Sequence, residues 1–84
     1  MTKTVTVDCN LTLAECQDFV GGNIELVYLN DKEIMVIDEE GKMKSKPINP
    51  HATIHATRNR AIFNNDWIAG DAIIMLREHW ELEE

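Results

Sequence analysis

Basic side chains are scarce in this chain, which sets eight Lys and Arg against fifteen Asp and Glu for a net charge of −7. Such an acidic surface repels nucleic acid and anionic membranes at long range, so general binding to either is excluded. Cysteine is nearly absent. Cys9 and Cys16 are too few for a disulfide framework and read as reduced residues without an assigned function. No apolar run approaches the roughly 20 residues needed to cross a bilayer, and no membrane partner is expected. The stretch from Met1 to Asp8 lacks the basic region and apolar core of a secretion signal, which makes the cytoplasm the expected location. With four glycines and two prolines there is also no low-complexity segment, linker or repeat array.

What is present is an ordinary globular composition, 44% apolar and 27% charged, in 84 residues. That length supports one hydrophobic core over 1–84 but buries little surface in a monomer, so a homo-oligomer is expected. Lys3 to Val7 alternates in the manner of a strand. Thr12-Leu13-Ala14-Glu15 has the form of a capping box, with Leu11 placed to staple onto Cys16 and Gly21 available as a left-handed stop. The spacing predicts a helix over Leu13 to Val20 with Leu13, Cys16 and Val20 facing the core and Phe19 at the edge of that stripe. Asn23 to Leu29 and Glu33 to Asp38 read as an antiparallel strand pair closed by the polar turn Asn30-Asp31-Lys32. After a turn at Glu39-Glu40-Gly41, Lys42 to Pro47 is expected as a polar edge strand. Asn49 before Pro50 predicts a helix to about Arg58, followed by a long loop from Asn59 to Gly70. Ala72 to Leu76 suits a buried central strand, and residues 77–84 an acidic tail or frayed helical turn. The fold class is therefore α+β: a small antiparallel sheet of four to five strands with two short helices.

Charge is sharply segregated. Between Gly41 and Asn65 lie five cations, Lys42, Lys44, Lys46, Arg58 and Arg60, and no acid, so this segment carries +5 and the rest of the chain −12. His51 and His55 add positive charge there when protonated. Arg58 and Arg60 each offer a two-pronged donor to phosphate. Phe63 and Trp67 flank Asn64 and Asn65, which brings aromatic faces for stacking and amides for reading base edges. Phosphate and base together describe a nucleotide. The competing reading is that the cations pair with acids of their own fold or of a neighbouring subunit.

Motifs suggestive of chemistry fail on geometry. His51-Ala52-Thr53 and His55-Ala56-Thr57 have the H-x-T form of a phosphoesterase class, but that class needs its two histidines on separate strands across a cleft, whereas these stack on one helix. The same pair lacks a third zinc ligand, with His79 or Cys9 adjacent only by chance. Gly21-Gly22 carries no phosphate-loop fingerprint, and adjacent acids such as Glu39-Glu40 are solvent residues. No catalytic residue, metal or cofactor is assigned, and the chain is expected not to be an enzyme.

Phe19-Val20-Gly21-Gly22-Asn23-Ile24-Glu25, Val27-Tyr28-Leu29 and Asp66-Trp67-Ile68-Ala69-Gly70-Asp71-Ala72-Ile73-Ile74 together resemble a family of small uncharacterised proteins of phages and mobile elements, a domain of unknown function, from about Leu11 to Met75. The resemblance implies a phage, prophage or plasmid accessory protein in the bacterial cytoplasm, of a kind that inhibits a host factor or sequesters a nucleotide signal of antiviral defence. It transfers no catalytic residue. The expected function is homo-oligomeric sequestration of a small phosphorylated ligand by Arg58, Asn59, Arg60, Phe63, Asn64, Asn65, Trp67, His55 and Lys46. The alternative is an acidic inhibitor that docks on a host defence or DNA-binding protein, using Asp38-Glu39-Glu40 and the tail from Glu78 to Glu84.

Overall fold

The computed structural model describes residues 2–81. Its elements run β1 (Thr4–Thr6), α1 (Leu13–Val20), β2 (Ile24–Tyr28), β3 (Glu33–Asp38), α2 (Pro50–Arg58), β4 (Ala72–Leu76) and α3 (Arg77–Glu81). The strands form one sheet in the order β1-β4-β3-β2.

The expected α+β class holds, with two corrections of detail. β1 pairs with β4 in parallel, Val5 against Ile73, so the sheet is mixed, not antiparallel. A third short helix, α3, stands where a tail or frayed turn was expected, while residues 82–84 of that tail lie outside the described residues. The hairpin is as read: β2 and β3 pair antiparallel with Leu26 against Val36. β3 also pairs antiparallel with β4, Met35 against Ile74, which makes these two the central strands.

Central strands are covered on both faces, and their sequences show it: Ile34, Met35, Val36, Ile37 and Ala72, Ile73, Ile74, Met75 are all buried. Alternate residues divide between two cores. One face packs Ile34, Val36, Ile73 and Met75 against Cys16 and Val20 of α1, with Trp80 of α3 at the margin. The other packs Met35, Ile37, Ala72 and Ile74 against Ala52 and Ala56 of α2. Each fully buried Ile or Met contributes about 1.5–3 kcal/mol by leaving water.

The helix ends follow the residues that mark them. Thr12 Oγ1 accepts from the Glu15 N–H at 3.1 Å and the Glu15 carboxylate from the Thr12 N–H at 2.9 Å. Gly21 closes α1 at φ 84°, a conformation open to glycine without strain. Leu13, expected to face the core, is 51% exposed, because the stripe through Cys16 and Val20 meets the sheet only from the second turn onward. Asn49 caps α2 by accepting from the Ala52 N–H at 3.0 Å, while its buried amide donates to Gly70 O at 2.9 Å and Thr4 Oγ1 at 2.9 Å. One side chain thus ties α2, β1 and the approach to β4 together.

Candidate functional site

Lys42 to Pro47 is not an edge strand. Residues 41–45 are turn, and the adjoining backbone forms an isolated bridge between Ile48 and Ala69 instead of a strand. The reason lies in its lysines, which point inward to partners instead of standing along an edge. Lys46 Nζ lies 2.7 Å from Asp38 Oδ2 and donates to Val20 O at 2.6 Å. Lys44 Nζ lies 2.9 Å from the same carboxylate oxygen and donates to Gly21 O at 3.1 Å. Two cations therefore sit at the carbonyl end of α1, where the helix dipole favours positive charge, and clamp it to the end of β3. The Asp38 side chain is fully buried. Burial raises its pKa, but hydrogen bonds from Lys46, Lys44 and the Glu40 N–H outweigh that and hold it at about 2.

Lys42 pairs with Asp66 and lies 4.3 Å from the centroid of the Trp67 ring. The lysine and the Trp67 N–H together lower the Asp66 pKa. All three lysines of the basic segment are thus compensated within the fold, which for them realises the competing reading of the charge pattern.

The two arginines differ. Arg58 ends α2, Arg60 follows its cap, both are exposed, and neither forms an ion pair among the described residues. Arg60 occupies the left-handed region at φ 58°, with its N–H bonded to Thr57 O and the Ala61 N–H bonded to Ala56 O. Helices usually end this way on glycine or asparagine, so an arginine here is held at a conformational cost. Arg60 and Phe63, which is 82% exposed, line one open depression of about 260 Å³ together with Ile62 and Asp66. Asn64 and Asn65 are exposed on the same loop.

Of the remaining residues expected at the site, Lys46 and Asn59 have structural partners. Asn59 caps α2, its amide donating to His55 O at 2.9 Å and its carbonyl accepting from Asn30 Nδ2 at 3.1 Å. His55 Nε2 is buried without a hydrogen bond, 4.0 Å from Glu33 Oε1. Trp67 faces a second cleft, also of about 260 Å³, whose rim carries Glu25, Glu39, Lys42 and Met43 over a floor that includes Val27 and Ile37. The basic segment therefore yields two adjoining surfaces that share Ile62 and Asp66: an arginine and aromatic loop without ion pairs for its arginines among the described residues, and an apolar cleft with acidic residues. Glu25 and Met43 were not singled out from sequence. Asp38 carried the one available signal, an acid closing an apolar strand a few residues before three alternate lysines.

Among the described residues no group of three His, Cys, Asp or Glu is placed to hold a metal ion, and no helix is long and apolar enough to cross a membrane. The sheet and helices described above define a small α+β protein. The chain belongs to the DUF3846 family, described as a domain of unknown function, whose model matches residues 1–81. No curated protein and no solved structure matches it.

Proposed function

We propose that this protein is a non-catalytic binding module that captures a small phosphorylated ligand of the nucleotide class through Arg58 and Arg60, with Phe63 stacking on the base and Asn64 or Asn65 reading its edge. The observation that carries this reading is Arg60: a guanidinium without an ion pair among the described residues, in a backbone conformation glycine would adopt more cheaply, beside an aromatic ring left in water. Local strain retained at an exposed cation is accounted for when the cation has a ligand to meet. Asn59 holds the base of the loop at the end of α2, while Lys46 and His55 lie outside the proposed contacts. The phage or mobile-element setting, the bacterial cytoplasm and assembly into a homo-oligomer belong to the same proposal, in which sequestration of an immune signal is the biological role. Isothermal titration with mononucleotides and cyclic dinucleotides tests it: binding that survives Arg58→Ala combined with Arg60→Ala removes the assignment.

The second reading, an acidic protein docking on a host protein, draws on a different observation. Glu25, Glu39 and Glu40 are exposed and form no ion pair among the described residues, and the first two border an apolar cleft. Lost inhibition of the host target on reversing these charges, with Arg58 and Arg60 intact, selects this reading over the first.

A further inference from the structure

The sheet order leaves β2 on an outside edge. The Glu39 N–H donates to Asn23 O at 2.8 Å and the Leu29 N–H to Glu33 O at 3.0 Å, which marks both ends of the β2–β3 ladder as hydrogen-bonded pairs. Such pairs alternate along an antiparallel ladder, so Glu25 and Val27 direct their backbone groups to β3. Ile24, Leu26 and Tyr28 turn theirs outward, and among the described residues no strand meets them.

The cleft described above lies along this edge. Register sets Glu25 opposite Ile37, two residues from Glu39, so the two carboxylates are diagonal neighbours on the cleft side. Neither has a cationic partner among the described residues, whereas Asp38 and Asp66 nearby are both paired. Beside them Met43 is 82% exposed and Trp67 41% exposed.

From these relations we infer that the β2 edge is a docking site for an extended segment of a protein partner that carries a cation and an apolar residue two positions apart, on one face of the strand. It rests on the second reading above and not on the phosphate site. An added strand bonds to Ile24, Leu26 and Tyr28 and places every second side chain on the cleft face: a Lys or Arg between Glu25 and Glu39, an apolar side chain against Met43 and Trp67. A second copy of β2 is a poorer occupant, because β2 itself contains no Lys or Arg to meet Glu25 and Glu39.

The test uses the full chain and a synthetic peptide of about eight residues repeating Lys-Ser-Leu-Ser, a typical strand length that sets Lys and Leu on one face, with a Lys–Ser peptide lacking Leu and a Glu–Leu peptide carrying Glu in place of Lys as controls. Hydrogen exchange followed by NMR is expected to show new protection at the Leu26 and Tyr28 amides and little change at Glu25 and Val27, whose amides are already bonded. Calorimetry is expected to show at least a tenfold loss of affinity in Glu25→Lys combined with Glu39→Lys, both exposed positions where folding is retained, and no loss in Arg58→Ala combined with Arg60→Ala. Unprotected edge amides at saturating peptide, equal affinity for the Lys–Ser peptide, or full affinity in the charge-reversed variant would each overturn the inference. Edge protection that grows with protein concentration in the absence of peptide would assign the edge to a second copy and overturn it equally. Loss of nucleotide binding without loss of peptide binding separates the two sites.

Discussion

Lys46 Nζ stands 2.7 Å from Asp38 Oδ2 and 2.6 Å from Val20 O, so one ammonium joins the end of β3 to the end of α1. Lys44 repeats the arrangement on the same carboxylate at 2.9 Å. A buried acid with two cations is stable only while both signs remain, and the first prediction follows from that: Asp38→Ala should destabilise the fold by about 3 kcal/mol, the usual loss when one member of a buried pair is removed. Lys46→Met, which keeps most of the apolar stem and leaves Lys44 in place, should cost less. Urea unfolding of the three proteins measures both.

The same carboxylate sets an acid limb in the stability profile. Its pKa in the folded protein is about 2 against an ordinary value of 3.8, so folding favours the ionised form. Stability from this group is complete above the unfolded value and is lost as pH falls from about 4 through 2. Unfolding free energies measured across that window should show a steeper decline in the wild-type protein than in Asp38→Asn. Parallel slopes would assign the acid sensitivity to other groups.

Asn49 concentrates three structural tasks in one buried amide. Asn49→Ala removes the α2 cap and strands Gly70 O and Thr4 Oγ1, with an expected cost of about 2–4 kcal/mol from lost capping and unmet buried hydrogen bonds. Asn49→Asp should retain the cap and still lose stability, because a carboxylate cannot donate to Gly70 O. By comparison, Thr12→Ala at the exposed capping box of α1 should cost about 1 kcal/mol. Thermal or chemical unfolding orders the three.

Arg60 separates stability from binding. Glycine enters the left-handed region freely, whereas an L residue there carries a cost of about 1 kcal/mol. Arg60→Gly is therefore expected to leave stability unchanged or raise it, while reducing affinity for a phosphorylated ligand. A variant that unfolds more readily would place Arg60 among the structural residues and withdraw the functional meaning of its backbone.

Local signals in the sequence carried most of the architecture. The Thr12–Glu15 box, Gly21, the Asn49-Pro50 start and the apolar runs of β3 and β4 act over a few residues, and each element stands where its residues place it. Long-range relations were less legible. The parallel seating of β1 on β4 depends on a pairing across almost the whole chain, to which alternation in Lys3 to Val7 is indifferent. The lysines at 42, 44 and 46 alternate as an edge strand would, but their ion pairs with Asp38 and Asp66 outweigh strand geometry and fold the segment into turns. Charge counted along the chain likewise hides which cations are compensated: the three lysines are, and the two arginines are not among the described residues. The acidic cleft was invisible because Glu25 and Glu39 are fourteen positions apart and meet only through strand register.

Native mass spectrometry of the protein purified from bacterial cells tests the central claim most directly, since it reads subunit number and bound mass together. The account predicts an oligomer carrying a phosphorylated small molecule, chemically unchanged on release, and the loss of that mass in Arg58→Ala combined with Arg60→Ala. A bound phosphorylated species that persists in the double variant, or a protein that remains bare after incubation with the full nucleotide panel, would contradict it.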